Sequence, residues 1–295
     1  MLRVRSHAKI NWHLEVVRRR PDGYHELRTI FQTLDLADEL TLELLPRGIE
    51  LEIHGQSDAL AAGPGNLVWR AAELYRSRFA DGEGGVGIVL DKKIPIGAGL
   101  GGGSSNAAAV LAGRSRLHGH DPDRAELREA ARELGADVPF FLVGGVALGT
   151  GRGDDLVALD DSGTTTPSLC LAVPPFPVPT SEVFAAHRLG PVRPRGATLA
   201  RAFEGSLPVD LRQLQGWNDL EATCFRLFPQ LGDVYNSLSV SGASWVRLCG
   251  SGGTVCAHFT DFRVTEAAGA ALPPGFGWLT ARPLRRIDWR LSAGW

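Results

Sequence analysis

The segment that decides the fold is Pro95-Ile96-Gly97-Ala98-Gly99-Leu100-Gly101-Gly102-Gly103-Ser104-Ser105-Asn106-Ala107-Ala108-Ala109. Five of the seven residues from Gly97 to Gly103 are glycines, and small residues suited to a helix follow them. The pattern predicts a loop that leads directly into a helix. The first N–H groups of a helix have no acceptor within it and lie at the positive end of its dipole, so such a loop attracts phosphate. A glycine-rich turn that serves only close packing is the alternative.

Two well-known phosphate-binding loops do not fit this segment. The Walker loop G-x-x-x-x-G-K-[ST] needs a lysine after its last glycine, but Gly103 follows Gly102. Gly97, Gly99 and Gly102 satisfy G-x-G-x-x-G, yet that dinucleotide fingerprint leaves a strand directly, and here Pro95 intervenes. No second parallel strand with a final acidic residue to hold a ribose is predicted after it. The segment therefore excludes a Walker-type NTPase and a Rossmann-type oxidoreductase.

The composition is that of a globular protein with about two domains, since the 295 residues are 44% hydrophobic and 22% charged. The 31 basic and 33 acidic side chains give a formal net charge of −2, so we expect no nucleic-acid or anionic-membrane partner. The longest apolar run, Val138–Leu148, is interrupted by glycines and too short to span a bilayer. Because Met1–Arg5 has no apolar run behind it and the four cysteines form no C-x-x-C pair, we expect a cytoplasmic protein without a signal peptide.

The rest of the chain divides into sheet-like and helix-like segments. Apolar and polar residues alternate over residues 1–60, which predicts a half-buried antiparallel sheet. Asn66 is the predicted N-cap of a helix. A second helix is expected from Asp123 to about Leu134, ended by Gly135 in a left-handed conformation. Residues 160–167 lack apolar periodicity and mark the expected domain boundary, after which strands and helices mix in an α+β pattern.

Two charged residues are candidates for catalysis. Phosphoryl transfer needs charge neutralisation and a group that accepts the proton of the attacking hydroxyl. Asp137 is an acidic residue among the apolar ones of Leu134–Phe141, although an aspartate two residues before Pro139 is also typical of a helix cap. Lys9 is one of only three lysines, which indicates that a compact point charge is needed there. A lysine on the surface of a strand is the alternative interpretation of Lys9.

A turn near the N-terminus carries an aromatic ring and an imidazole. Tyr24 and His25 directly follow Arg20-Pro21-Asp22-Gly23, whose proline and glycine suit a tight reversal. The tyrosine ring could stack on a base, and the imidazole could hydrogen-bond to the edge of that base. A tyrosine that only packs at the end of a hairpin is the alternative.

Five segments carry a resemblance to a known family. They are Ala8–Asn11, Arg20–Leu27, Pro95–Ala108, Leu134–Phe141 and Gly250–Gly252. Together they resemble the GHMP kinase superfamily and, because the Pro21–His25 turn accompanies the glycine loop, its branch that phosphorylates a cytidine-diphosphate-linked methylerythritol. The resemblance implies an α+β fold of two domains with the functional site in the cleft between them. Residues 1–162 would form the ATP-binding, ribosomal-S5-domain-2-like α/β half, and residues 163–295 the ferredoxin-like half.

The resemblance also implies a reaction. ATP, with Mg²⁺, would phosphorylate the 2-hydroxyl of the cytidine-diphosphate-linked methylerythritol, a step of the non-mevalonate (MEP) route to isoprenoid precursors. Asp137 would act as base toward that hydroxyl, with Lys9 as the cation beside it. The implied nucleotide-binding residues are Asn66, Lys92, Pro95, Gly97, Gly99, Leu100, Gly101, Gly102, Gly103, Ser104 and Ser105. Ser105 would also contact Mg²⁺, and the implied acceptor-binding residues are Asn11, Tyr24, His25, Asp137 and Thr180.

The implied partners are small-molecule substrates, with no nucleic acid and no membrane, and the chain would be a monomer or a weak homodimer. Ser6-His7 and Trp12 depart from the pattern of the branch, which predicts an acceptor pocket of different shape. One rival is a GHMP kinase for another alcohol, which would have no need of Tyr24-His25. The other is a non-catalytic nucleotide-binding protein, which would have no need of both Lys9 and Asp137.

Overall fold

The computed structural model describes residues 1–55, 60–80, 84–162, 168–190, 197–204 and 216–294. The strands are β1 (Leu2–Arg19), β2 (His25–Leu45), β3 (Ile49–Gly55), β4 (Gly85–Lys92), β5 (Val146–Thr150), β6 (Asp155–Ala158), β7 (Leu169–Val173), β8 (Trp245–Leu248), β9 (Val255–His258) and β10 (Gly277–Ala281). The helices are α1 (Leu67–Phe79), α2 (Gly102–Leu117), α3 (Ala125–Leu134), α4 (Phe140–Val143), α5 (Thr180–Ala186), α6 (Ala197–Phe203), α7 (Glu221–Leu227), α8 (Pro229–Val240), α9 (Phe262–Ala270) and α10 (Arg286–Ala293).

The first sheet is built on the long hairpin of β1 and β2, which pair antiparallel from Leu2 opposite Leu42 to Arg19 opposite His25. The other edge of β2 pairs with β5 near the start of β2 and with β4 near its end. β3 lies parallel to β4, and α1 lies between them in the chain. Helices α1 to α4 contribute to the apolar core on one face of this sheet. The start of α2 is thereby held against the middle of the hairpin.

The second sheet has the strand order β10-β7-β9-β8, with every neighbouring pair antiparallel. In chain order its elements are a strand, a group of helices, a β-hairpin, a helix and a last strand, which is the βαββαβ arrangement of ferredoxin-like folds. Helices α7, α8 and α9 share an apolar core with one face of this sheet. The predicted α+β fold with a ferredoxin-like second half is confirmed.

The two sheets share an apolar core between them, because residues of both sheets alternate in direction along their strands. Ile10 of β1 and Leu171 of β7 belong to this shared core. Residues 6–16 are consequently buried without interruption, so the prediction that this strand is half-buried was wrong. Trp12 packs against Trp245 with ring centroids 4.9 Å apart. The departures at Ser6-His7 and Trp12 are therefore accommodated in the interior and do not line the cleft described below.

The local predictions have mixed outcomes. Asn66 does cap α1, since the N–H of Val68 donates to Asn66 Oδ1 over 2.9 Å. Gly135 ends α3 in an extended conformation, with φ 169°, so the predicted left-handed residue was wrong. The expected boundary at 160–167 falls partly on 163–167, which lie outside the described residues. No helix within the described ranges is both long enough and apolar enough to cross a bilayer.

Candidate active site

A cleft of about 1160 Å³ opens where the two halves of the chain meet. Its lining includes almost every residue that the sequence analysis proposed for the site. Those residues are Lys9, Asn11, Tyr24, His25, Asn66, Lys92, Pro95, Gly97, Gly99, Leu100, Gly101, Gly102, Gly103, Ser104, Asp137 and Thr180. Ser105 is the predicted site residue that does not line the cleft.

The glycine loop has the backbone geometry of an anion site. Gly97, Gly99 and Gly101 have φ values of 68°, 75° and 73°, in the left-handed region that favours glycine. Left-handed residues that alternate with others turn successive N–H groups toward one point. Gly101 is also the N-cap of α2, with no side-chain cap and no acidic residue in the first turn. The start of this 16-residue helix can therefore take an anion on its backbone N–H groups.

Close packing holds the same loop in place. A Cβ on Gly99 would lie 2.4 Å from the carbonyl oxygen of Gly252, so the two backbones touch here. The N–H of Thr254 donates to the carbonyl oxygen of Ala98 over 3.0 Å. The late glycine motif Gly250–Gly252 therefore joins the second half to the loop. The glycines permit this close packing, and their left-handed conformations also suit a backbone anion site, so the two interpretations of the loop are compatible.

Ser104 and Ser105 lie on different sides of the first turn of α2. Adjacent residues of a helix are about 100° apart around its axis, so one of the two faces the cleft and the other faces the sheet. Ser104 lines the cleft, whereas Ser105 is only 2% exposed. Ser104 is therefore the more accessible of the two hydroxyls, while the contact of Ser105 with Mg²⁺ stays a prediction.

Lys9 and Asp137 meet on the wall of the cleft. Lys9 Nζ lies 3.3 Å from Asp137 Oδ2, where the side chain of Asp137 is 36% exposed and that of Lys9 only 5%. The backbone N–H of Lys9 donates to the carbonyl oxygen of Leu100 over 2.9 Å, which ties the strand to the glycine loop. Lys9 is thus buried, and its ammonium faces a carboxylate that ligands can reach. The alternative of a lysine on the surface of a strand does not hold.

Asp137 is not the cap of the helix that follows it. Helix α4 begins at Phe140, its N-cap is Pro139, and no side chain caps it. The carboxylate of Asp137 points to Lys9 instead. This geometry favours the catalytic interpretation of Asp137 over the capping one.

Asn11 orients the lysine. Lys9 Nζ donates to Asn11 Oδ1 over 3.0 Å, and Asn11 Nδ2 donates to Thr29 Oγ1 over 2.7 Å. The hydroxyl of Thr29 in turn donates to the carbonyl oxygen of His13 over 2.7 Å. Because the amide nitrogen is engaged, the amide oxygen has to face the ammonium. Thr29 is a supporting residue without any signal in the sequence, since it lies 18 positions from Asn11.

Lys92 lies directly behind the start of α2. Its Nζ would be 3.1 Å from a Cβ on Gly102. The ammonium forms a buried ion pair with Asp38, whose other carboxylate oxygen accepts the backbone N–H groups of residues 93 and 94 over 2.7 and 2.8 Å. Lys92 is therefore fixed in position, with its ammonium paired to Asp38 and next to the first turn of α2. Asp38, which holds Lys92 there, was missed by the sequence analysis.

Tyr24 and His25 lie at the other end of the cleft. The Tyr24 side chain is 55% exposed, so it is available to a ligand and is not packed into the hairpin. The imidazole of His25 stacks on the ring of Phe184 with centroids 5.1 Å apart. Burial, followed by the nearby charges of His187 and Arg19, lowers the pKa of His25, which favours the neutral imidazole. Phe184 lines the cleft and was not singled out from the sequence.

Thr180 and Asn66 occupy the two flanks of the cleft. Thr180 Oγ1 lies 2.7 Å from the hydroxyl of Ser251, which links the start of α5 to the late glycine motif. Asn66 caps α1 through its Oδ1 and donates through Nδ2 to the carbonyl oxygen of Ala61 over 3.0 Å. Both residues are thus held by the fold while they border the cleft.

Comparison with known proteins identifies the family. The model of the GHMP kinases N terminal domain matches residues 66–145, and that of the GHMP kinases C terminal matches residues 201–273. A 4-diphosphocytidyl-2-C-methyl-D-erythritol kinase of Geobacter sulfurreducens is 40% identical over 262 residues, 88% of this chain and 90% of the relative. The chain belongs to the 4-diphosphocytidyl-2-C-methyl-D-erythritol kinase family.

Further comparisons agree with membership of the 4-diphosphocytidyl-2-C-methyl-D-erythritol kinase family. A relative of that name from Pelobacter propionicus is 38% identical over 282 residues, which cover 95% of this chain and 97% of the relative. A crystal structure of a 4-(cytidine 5'-diphospho)-2C-methyl-D-erythritol kinase matches with a TM-score of 0.74 and 36% identity, covering 96% of this chain and 99% of the other. The chain is a GHMP-family phosphotransferase, and the predicted family and fold are confirmed.

Proposed function

We propose that this chain transfers the γ-phosphoryl group of ATP to the 2-hydroxyl of 4-diphosphocytidyl-2-C-methyl-D-erythritol. The observation that carries the proposal is the 3.3 Å contact of Lys9 with Asp137 in a cleft that also contains the start of α2. One end of the cleft suits a polyphosphate, the other end suits a nucleobase, and a carboxylate with an ammonium lies on its wall.

The glycine loop would bind the triphosphate of ATP. The N–H groups of residues 97–104 and the dipole of α2 would supply the contacts, with the ammonium of Lys92 close behind the first turn of the helix. Within the described part of the chain, no group of three or more His, Cys, Asp or Glu side chains could hold a metal ion by itself. Mg²⁺ usually keeps several waters and takes other ligands from substrate phosphates. The Ser104 hydroxyl, which lines the cleft at the start of α2, would supply a protein oxygen to such a site.

Asp137 would take the proton of the acceptor hydroxyl. As the O–H bond breaks toward the carboxylate, the acceptor oxygen forms a bond to the γ-phosphorus and the bond to the ADP oxygen breaks. Lys9, oriented by Asn11, stabilises the negative charge that develops on the acceptor oxygen and the transferring group. Phosphoryl transfer asks mainly for positioning and charge stabilisation, and a fixed pair of this kind would contribute both on the acceptor side.

Tyr24 and His25 would bind the cytosine. An exposed aromatic ring offers a face for stacking, and a neutral imidazole offers one donor and one acceptor to the edge of the base. Phe184, whose ring already stacks on His25, closes this end of the cleft. A kinase for a small alcohol without a nucleotide would have no use for this end.

A coupled ADP-release assay tests the proposal. The purified chain, with ATP and Mg²⁺, is given 4-diphosphocytidyl-2-C-methyl-D-erythritol and, in parallel, mevalonate, homoserine and galactose. We expect turnover with the cytidylated acceptor at least 100-fold faster than with the others, because only that acceptor fills both ends of the cleft (about 3 kcal/mol, the scale of a few lost contacts). Faster turnover of another alcohol would overturn the acceptor assignment. ATP binding without turnover of any acceptor would favour a non-catalytic protein.

A further inference from the structure

Arg152 is a cleft residue to which the mechanism above gives no role. It lies in the turn between β5 and β6 and lines the cleft. Its guanidinium lies over the ring of Tyr24, 5.3 Å from the ring centroid. Within the described ranges, this is the contact that the structure records for the Tyr24 ring.

The guanidinium of Arg152 is fixed in orientation. Its Nε donates to Asp154 Oδ2 over 3.1 Å, and its backbone N–H donates to Asp154 Oδ1 over 3.2 Å. The side chain of Asp154 is only 10% exposed, so the carboxylate is itself held. The backbone N–H of Leu27 donates to the carbonyl oxygen of Gly151 over 2.7 Å, which docks the turn onto the strand just after Tyr24. Ring and guanidinium are therefore held on adjoining parts of one sheet.

A planar guanidinium stacks well on an aromatic face and is attracted by its π electrons. A ring that has a guanidinium on one face keeps the other face for a ligand. Ordering an exposed side chain before the ligand arrives removes part of the entropy cost of binding. The contact with Arg152 thus holds the Tyr24 ring in place before a nucleobase stacks on it.

On the basis of the proposed function, we propose that Arg152 is a positioning residue for the acceptor, which acts through the Tyr24 ring to strengthen binding of the cytosine end. Arg152 then belongs to recognition of the nucleobase and has no part in phosphoryl transfer itself.

The first test is Arg152→Gln in steady-state kinetics. We expect the KM for the cytidylated acceptor to rise about three- to fivefold, the scale of one cation–π contact. The KM for ATP and kcat should stay within twofold, because the triphosphate site and the Lys9–Asp137 pair are untouched. An unchanged acceptor KM, or an equal rise in both KM values, would overturn the proposal.

Arg132→Gln is the matched control. Arg132 Nη2 donates to the carbonyl oxygen of Asp154 over 3.3 Å and to Asp155 Oδ1 over 3.0 Å, so it supports the same turn. It does not line the cleft. Its acceptor KM should stay within twofold of the wild type. A rise as large as that of Arg152→Gln would mean that disturbance of the turn explains the effect, and the proposal would fail.

A double-mutant cycle separates action through the ring from direct contact with the acceptor. In a Tyr24→Phe background the ring remains, so Arg152→Gln should raise the acceptor KM by the same factor as in the wild type. In a Tyr24→Leu background, Arg152→Gln should cause no further rise. If Arg152→Gln raised the acceptor KM in the Tyr24→Leu background as much as in the wild type, Arg152 would contact the acceptor directly, contrary to the proposal. If the wild type does not turn over the cytidylated acceptor, the proposed function fails; if it does and only the cycle fails, the role of Arg152 alone is refuted.

Discussion

The ammonium and the carboxylate at the reacting end are placed by neighbours that are themselves buried. Asn11 and Thr29 are 3% and 1% exposed, and their hydrogen bonds leave Lys9 little freedom. A charged group held in this way does not reorganise when charge develops on a substrate, which is what gives preorganised groups their catalytic effect. Lys9 is therefore suited to electrostatic stabilisation of a transition state.

His7 makes stability depend on pH. Burial, opposed by the hydrogen bond of Nδ1 to the carbonyl oxygen of Leu34 and assisted by the charge of Arg5, lowers the pKa of His7 from 6.5 to about 4. The unfolded chain therefore takes up this proton at higher pH than the folded chain does. The stability that neutral His7 contributes is present above pH 6.5 and is lost as the pH falls toward 4, about 3 kcal/mol in all.

Urea unfolding of the wild type and of His7→Gln, at pH 4.5 and at pH 7.5, measures this dependence. The variant should lose less free energy of unfolding on acidification than the wild type, even where it is less stable at both pH values. An equal loss in the two proteins would contradict the assignment to His7.

Single residues could be picked from the sequence where their type was unusual for the surroundings. Lys9 was visible as one of three lysines, and Asp137 as an acid among apolar residues. Asp38 and Thr29 carried no such signal, because each acts through a partner more than fifteen positions away. Partners of that kind are known only once the chain is folded.

At the scale of elements, Asn66 has two separable tasks. As N-cap it accepts the N–H of Val68, and as a cleft residue it borders the predicted nucleotide site. Asn66→Ala should lower the free energy of unfolding by about 1 kcal/mol through loss of the cap. Asn66→Asp should keep the cap but raise the KM for ATP, because it adds a negative charge to the lining of a cleft that would bind an anionic nucleotide.

Asp261→Ala is the control for the Asn66 variants. Asp261 caps α9 by accepting the N–H of Arg263 over 2.8 Å and does not line the cleft. Its loss should cost a similar free energy of unfolding with no change in the KM for ATP. An Asn66→Asp variant with unchanged ATP kinetics would show that Asn66 serves only as a cap.

Elements were predictable where the signal was local. The cap at Asn66 depends on residues two positions apart, and its prediction was right. Burial of β1 on both faces depends on the second sheet, which no period in residues 1–60 could show. The burial of Ser105 depends on which side of α2 meets the first sheet. The extended conformation of Gly135, with φ 169°, had no signal in the residues around it either.

At the scale of the whole molecule, α10 returns to brace the first half. The guanidinium of Arg286 donates to the carbonyl oxygens of Val143, Gly144, Val146 and Leu159. The backbone N–H of Arg286 also donates to Asp161 Oδ2 over 2.6 Å. The side chain of Arg286 therefore donates hydrogen bonds to backbone carbonyls on both sides of β5, just beyond the segment that carries Asp137.

Arg286→Met should lower the free energy of unfolding by about 3 kcal/mol or more, because several partly buried carbonyls lose their donor together. Arg285→Met is the matched control, since Arg285 pairs with Asp288 at the surface with its side chain 41% exposed. We expect that variant to lose much less free energy of unfolding, because water screens an exposed ion pair. Equal losses in urea unfolding would refute the bracing role of Arg286.

The fold of the two halves could be predicted from the resemblance to a known family more than from the apolar periodicity of the sequence. Alternation and helix signals indicated an α+β chain, but the strand order β10-β7-β9-β8 depends on pairings between segments far apart in the sequence. The glycine loop was the exception, because its N–H groups and its connection to α2 are local. The position of the loop in the molecule also depends on its contact with Gly252, which is distant in the sequence.

The central claim is that Asp137 takes the acceptor proton beside a bound triphosphate, and Asp137→Asn tests it most directly. Turnover of the cytidylated acceptor and the Kd for ATP are measured on the wild type, on Asp137→Asn and on Asp155→Asn, a surface control whose side chain is 65% exposed. We predict that kcat of Asp137→Asn falls at least about 100-fold, the scale of a proton-transfer group, while its Kd for ATP stays within twofold and Asp155→Asn behaves as the wild type. Turnover of Asp137→Asn close to that of the wild type would contradict the account.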